Sequence, residues 1–244
     1  MLLAWPALSV LIIFSFFTSA LSAATGMGGG VLLFTIMTLY FPIQVIIPIH
    51  GVIQFFNNFL TLNFLKNYLK KSLMVPFIWG AIPGILLASF FISKIIKTEA
   101  PQLIILSLII YSLFRPKRLP DLELQHKNFF WVGLITGFLG IIAGAIDPVL
   151  APFFVRKDLT KEEVIANKAA MQAIVHFAKI PVFLSLGFDY LPYLSFCLMT
   201  NLACFFGTKF GIILLQRMSD QVFLKVFKIA LIATGLRMAW KIIY

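Results

Sequence analysis

The chain has 244 residues, of which 61% are apolar and only 12% charged, and its mean hydropathy is +0.99. A water-soluble domain carries about a quarter charged residues, so this composition excludes one and identifies an integral membrane protein. The formal charge of +11 sits in short clusters between apolar runs, which marks topology rather than a nucleic-acid-binding face.

Residues 2–24 form an apolar run long enough to cross a hydrocarbon core of about 30 Å. The run lacks a basic n-region and is longer than an h-region, so Ser22-Ala23-Ala24 is not read as a secretory cleavage site. It ends in Gly26-Met27-Gly28-Gly29-Gly30, and each glycine costs about 1 kcal/mol in a helix interior. A break is predicted there. The apolar residues 31–41 that follow reach only about 17 Å as a helix, too short to cross, so the two pieces are predicted to form a hairpin that enters and leaves on one side.

Residues 42–65 are a second apolar segment, bearing His50, Gln54, Asn57 and Asn58, and they run into Lys66, Lys70 and Lys71. Residues 73–92 carry Gly80, Gly84 and Ala88 at four-residue spacing, a small-residue face that lets helices approach closely. A weaker loop with Lys94, Lys97 and Glu99 leads into residues 101–114. Residues 115–128, charged and proline-containing, form the main polar break.

The second half follows the same plan. Residues 129–146 are apolar, with Gly133, Gly137, Gly140 and Gly144, and they break at Asp147-Pro148, where proline removes an amide donor. A short piece meets Arg156, Lys157, Asp158, Lys161, Glu162 and Glu163. Residues 164–186 carry Lys168, Gln172, His176 and Lys179; residues 191–215 carry Ala203, Gly207 and Gly211; residues 222–243 form the last span. Cys197 and Cys204 lie about two turns apart on one face, too far apart for a disulfide within a helix, and are read as packing residues.

Sliding the chain by 118 positions lays Gly26 on Gly144, Val31 on Val149, Leu32 on Leu150, Ile47 on Ile165, Gln54 on Gln172 and Phe59 on Phe177, with no gap. The same shift lays His50 on Lys168 and Asn58 on His176. Each half therefore holds a helix breaker followed by a polar stripe. If the second broken element crossed fully, the loop with Arg156, Lys157 and Lys161 would lie outside and residues 187–189, which have no basic residue, inside; a hairpin reverses both and satisfies the positive-inside rule. The predicted fold is an all-α polytopic membrane protein with two inverted repeats, each a broken-helix hairpin followed by three transmembrane helices. Residues 1–114 form the first membrane repeat, 115–128 a cytoplasmic connector and 129–244 the second repeat. Parallel four-span halves are the alternative.

His50, Gln54 and Asn58 fall at i, i+4 and i+8, as do Lys168, Gln172 and His176, so each set lines one side of its helix. Ionisable groups inside a membrane tend to face a partner or a watered cavity, and two such stripes make a polar site between the halves. Its chemistry suits an anion. Lys168 and Lys179 supply positive charge, Gln54, Gln172, Asn58 and Asn167 neutral donors, and His50 and His176 donors that can also take a proton. Amides at Gly28, Gly29 and Gly30 would add a positive helix end. Asp147 is the one acid at comparable depth and a candidate proton carrier beside the two histidines.

Plainer roles stand beside these. Gln54 and Asn57 suit interhelical hydrogen bonding, Lys168 and Lys209 suit snorkelling to a surface, Asp147 suits pairing with Lys168 or Lys179 or capping a short helix, and the glycines suit packing. An enzyme built on His50, His176 and Asp147 lacks any His-Glu-x-x-His, Gly-x-Ser-x-Gly or metal-ligand spacing. A membrane accessory subunit has no need of polar stripes in both halves. No metal or cofactor is expected, and no nucleic acid; the expected partners are a small anionic substrate, protons and the lipid bilayer, with a homodimer as a possible assembly.

At these residues the chain resembles the sulfite exporter TauE/SafE family of membrane transporters. The likeness covers nearly the whole chain and rests on Gly26-Met27-Gly28-Gly29-Gly30, Pro48-Ile49-His50-Gly51-Val52-Ile53-Gln54, the run from Gly144 through Pro148-Val149-Leu150-Ala151-Pro152-Phe153-Phe154, Asn167-Lys168-Ala169-Ala170-Met171-Gln172 and His176-Phe177-Ala178-Lys179-Ile180. The resemblance implies a multi-pass protein of the bacterial inner membrane that moves sulfite, organosulfonates or similar oxidised-sulfur anions, outward and coupled to the proton gradient. It implies Gly28 to Gly30, His50, Gln54, Lys168, Gln172 and His176 as site residues. Two positions depart from the family: Asp147-Pro148 stands where Gly-Pro is usual, and Asn167 where threonine is common.

Overall fold

The computed structural model describes residues 5–26, 28–101, 103–104, 106–107, 124–154, 158–217 and 219. Seven helices of nine residues or more have both ends among them: α1 (Trp5–Thr25), α2 (Gly29–Met37), α3 (Ile43–Phe64), α4 (Lys71–Ile95), α5 (Phe129–Ala143), α6 (Lys161–Ser185) and α7 (Leu194–Arg217). The described residues contain no strand. The last predicted span, residues 222–243, lies outside the described residues, as do most of residues 101–114 and 115–128 and the pair Arg156 and Lys157.

Five of the segments, in α1, α3, α4, α5 with its preceding turn, and α7, are long and apolar enough to cross a membrane. The protein is a multi-pass membrane protein. Helix α6 has 25 residues, enough to cross, but Lys161, Glu162, Glu163, Lys168 and Lys179 set it apart from those five in composition.

Both breaks form where glycine allows them. Gly26 and Gly28 have φ of 67° and 82°, and Gly144 has φ of 86°, the left-handed region that a side chain resists. After Gly28 the nine residues of α2 extend for about 14 Å and run back along α1, so close that a Cβ on Gly29 would lie 2.0 Å from the Thr18 carbonyl oxygen. After Gly144 the chain makes only the short helix Asp147–Leu150 and the tighter turn Ala151–Phe154.

Small residues fix the helix pairing. Cβ atoms on Gly80 and Gly84 of α4 would lie 1.8 and 2.2 Å from the carbonyl oxygens of Phe130 and Leu134, and on Gly133 and Gly137 of α5 they would lie 2.1 and 2.5 Å from those of Phe77 and Ala81. Position rises with position, so α4 and α5 run parallel with backbones in contact. Gly207 and Gly211 of α7 meet the carbonyls of Phe16 and Ala20 in the same sense, so α7 and α1 are parallel too. The small-residue helices α4 and α7 therefore hold α5 and α1, the helices that lead into the two breaks.

Helices α3 and α6 lie at the centre and run antiparallel: the His50 and His176 rings are 5.7 Å apart, while Asn167, earlier in α6, bonds Tyr68 and Lys70, beyond the end of α3. The buried residues Phe34, Ile46, Ile47, Ile49 and Ile53 pack with Ile141 and Ile142 in the main apolar core. A Cβ on Gly144 would come within 2.6 Å of the Phe34 ring, which seats the second break directly on the first hairpin.

Candidate functional site

Two polar stripes face each other across the α3–α6 crossing. On α3, His50, Gln54, Asn57 and Asn58 are buried, and on α6, Asn167, Lys168, Gln172, His176 and Lys179 are. Helical periodicity puts each stripe on one side, and the antiparallel crossing brings the sides together. The two helix breaks enter between them.

Lys168 and Lys179 are both 0% exposed, and each is bound to one break. The Lys168 Nζ donates to the Gly26 carbonyl oxygen, just past the end of α1, and the Lys179 Nζ donates to the Gly144 carbonyl oxygen, just past the end of α5. A helix's last carbonyls have no partner within the helix and carry its negative dipole end, so a buried ammonium suits each. The Lys179 Nζ also lies within hydrogen-bond distance of His176 Nδ1, at 3.2 Å. His50 donates from Nε2 to the Gly30 carbonyl oxygen at 2.8 Å, with Phe34 edge-on to its ring.

Asp147 joins the stripes. Its Oδ1 accepts from Gln172 Nε2 and lies 4.0 Å from the Lys168 Nζ. Its Oδ2 lies over Gly30, where a Cβ would come within 3.1 Å of it and within 3.2 Å of Gln54 Oε1. Glycine leaves space where an amide and a carboxylate converge.

Gly30, His50, Gln54, Asp147, Lys168, Gln172 and His176 thus come together, and Lys168 is buried on a backbone carbonyl rather than snorkelling. Four other expected residues are engaged elsewhere. Asn167 receives the Lys70 amide on Oδ1 and donates to the Tyr68 and Glu163 carbonyls, so it ties the α3–α4 loop to the start of α6. Asn58 donates to the Gln54 carbonyl one turn back, and Gly29 packs on α1. Gly28 is the left-handed residue that starts α2. Asn57, outside the i, i+4 stripe, accepts from Thr208 Oγ1 at 2.8 Å, an interhelical bond to α7. Lys179 was legible in sequence only as a charge near the stripe; its link to Gly144 mirrors that of Lys168 to Gly26.

Among the described residues, no three His, Cys, Asp or Glu side chains are grouped to hold a metal ion. The cluster's chemistry is that of ammonium and amide donors around one carboxylate.

The family model for the sulfite exporter TauE/SafE matches residues 11–238 of the chain. No curated protein and no solved structure matches it.

Proposed function

The chain belongs to the sulfite exporter TauE/SafE family, and on that premise we propose that it is a secondary transporter exporting a small oxidised-sulfur anion, sulfite or an organosulfonate, by proton-coupled alternating access. The observation that carries the reading is the pair of buried lysines, each bonded to a different helix break, with Gln172 and Asp147 beside Lys168. A buried ammonium is costly unless used, and one at each break provides a donor that an anion can recruit as that break moves.

The inverted arrangement of the repeats belongs to the same proposal. It is supported by the antiparallel run of α3 and α6, which correspond under the 118-residue shift; equivalent helices of two parallel repeats would run the same way. Two breaks reaching inward from opposite ends give a site that either end can uncover. His50 and His176 lie beside the anion donors and, with Asp147, are the proposed carriers of the coupling proton. The proposed setting is a bacterial inner membrane, with the end rich in lysine inside.

The test is flux of labelled sulfite, sulfoacetate and sulfate through the purified protein in liposomes, with and without a pH gradient. Gradient-driven flux of an oxidised-sulfur anion above that of empty liposomes is expected. Flux of none of them overturns the substrate assignment.

A further inference from the structure

The site already holds an anion of its own. The Asp147 carboxylate accepts from Gln172 Nε2 and sits 4.0 Å from the Lys168 ammonium, while its second oxygen fills the space over Gly30 beside Gln54. Gln172 Nε2 and the Lys168 ammonium are donors that a sulfonate or sulfite oxygen needs, and Asp147 occupies the position in front of them. The other lysine is committed elsewhere, on the Gly144 carbonyl and His176. One cation is within reach of this position, and it matches one negative charge.

The remaining titratable groups lining the junction are His176 and Lys179 on α6 and His50 on α3; α1, α2 and α5 contribute none, and Asp147 is the only ionisable side chain in residues 147–154. Among the described residues the carboxylate is therefore the one negative charge at the junction. Its neutralisation is the direct way to free Lys168 and Gln172 without leaving two anions against one cation.

Resting on the transporter reading above, we infer that Asp147 is the internal occupant of the anion subsite and that the substrate is a monoanion which enters by displacing it, with one proton bound by the carboxylate for each anion. The proton comes from water on the open side and ends on a carboxyl oxygen; the incoming anion takes the hydrogen bond of Gln172 and the place beside the Lys168 ammonium. The junction's net charge is the same before and after, so the exchange is electrically balanced. A dianion would need Lys179 to leave Gly144 as well.

The test uses full-length protein in detergent and two probes that do not titrate between pH 5 and 8, methanesulfonate as monoanion and sulfate as dianion, with binding followed by calorimetry. Wild type should bind methanesulfonate more tightly as pH falls, by about tenfold per pH unit while Asp147 is ionised, the slope of one linked proton. Sulfate should bind at least about tenfold more weakly, the step of one unmatched charge. Asp147→Asn, which keeps an oxygen to accept from Gln172 but cannot ionise, should bind methanesulfonate without that tenfold-per-unit slope. If that variant fails to fold, proton uptake by wild type, measured in two buffers of different ionisation enthalpy, should be about one per anion; none taken up overturns the inference. A variant that keeps the wild-type slope, or tighter binding of sulfate, overturns it while leaving the transporter reading intact. Absence of binding by wild type at every pH overturns both the subsite and its occupant, and transport of another sulfur anion in liposomes would then show that the broader reading survives.

Discussion

Lys168 and Asn167 are neighbours on α6 that the helical turn sends to different tasks. Lys168 points inward to the Gly26 carbonyl and Asp147, whereas Asn167 makes two bonds that fasten the α3–α4 loop and a third to Glu163 one turn back. Lys168→Ala should therefore remove at least about tenfold of flux per folded molecule, since losing a charge-assisted bond in a buried site costs about 1.5–3 kcal/mol. Asn167→Ala should act the other way, lowering the melting temperature while folded protein keeps transport. Measuring both variants for monodispersity, melting and liposome flux separates the tasks; strong flux from Lys168→Ala would remove it from the transport site. Sequence periodicity put both residues on the candidate list because both are polar in apolar surroundings. It does not reveal which face meets a loop, since that depends on where the α3–α4 connection folds back.

Among the helices, the paired seams are the features read most directly from sequence. Glycines four residues apart on α4, α5 and α7 meet backbone carbonyls because only a missing Cβ permits that approach. Gly80→Ala or Gly207→Ala should force α4 from α5, or α7 from α1, and destabilise the protein by about 1–3 kcal/mol, as overpacking does. Gly187, with φ of 81° and nothing within 4 Å of an added Cβ, is the control: alanine there meets backbone strain alone, about 1 kcal/mol. Melting curves in detergent should show the two seam variants falling further than Gly187→Ala. The breaks themselves were legible too, from the cost of glycine and proline in a helix. Hydropathy conveyed least about α6, because its buried Lys168 and Lys179, together with the charges of its first turn, make it look like a poor span. The second arm after Gly144 was expected as a short helix, yet only Asp147–Leu150 takes the α form before a tighter turn, within a sequence that places Pro148 and Pro152 near its start and middle.

At the scale of the molecule, contacts between helix ends assign every described loop to one of two ends. Lys70 pairs with Glu163 at 3.2 Å, Lys161 donates to the Leu215 carbonyl, and Lys71 and Lys127 flank one groove, so the starts of α4, α5 and α6 and the ends of α3 and α7 share an end. At the other, Gln44 donates to the Ile96 carbonyl, and Phe188 stacks on Tyr193, whose ring also meets Phe41. The first end collects Lys66, Lys70, Lys71, Lys127, Lys161 and Arg217; the second has Lys94, Lys97 and Asp189. On the positive-inside rule the proposed orientation has the first end in the cytoplasm, with α1 entering from outside and α5 from inside. With the buried thiols Cys197 and Cys204 replaced by alanine, single cysteines can report on each loop. Thr98→Cys and Asp189→Cys should react with an impermeant thiol reagent added to intact cells, and Asn67→Cys and Asp158→Cys should react only after the membrane is opened. The Asp158 position is decisive, because it follows the second break: two repeats of like orientation with four full crossings each would put it outside with Asp189 inside. Labelling of Asp158→Cys in intact cells would therefore exclude the inverted arrangement, and with it a site that the two breaks approach from opposite sides.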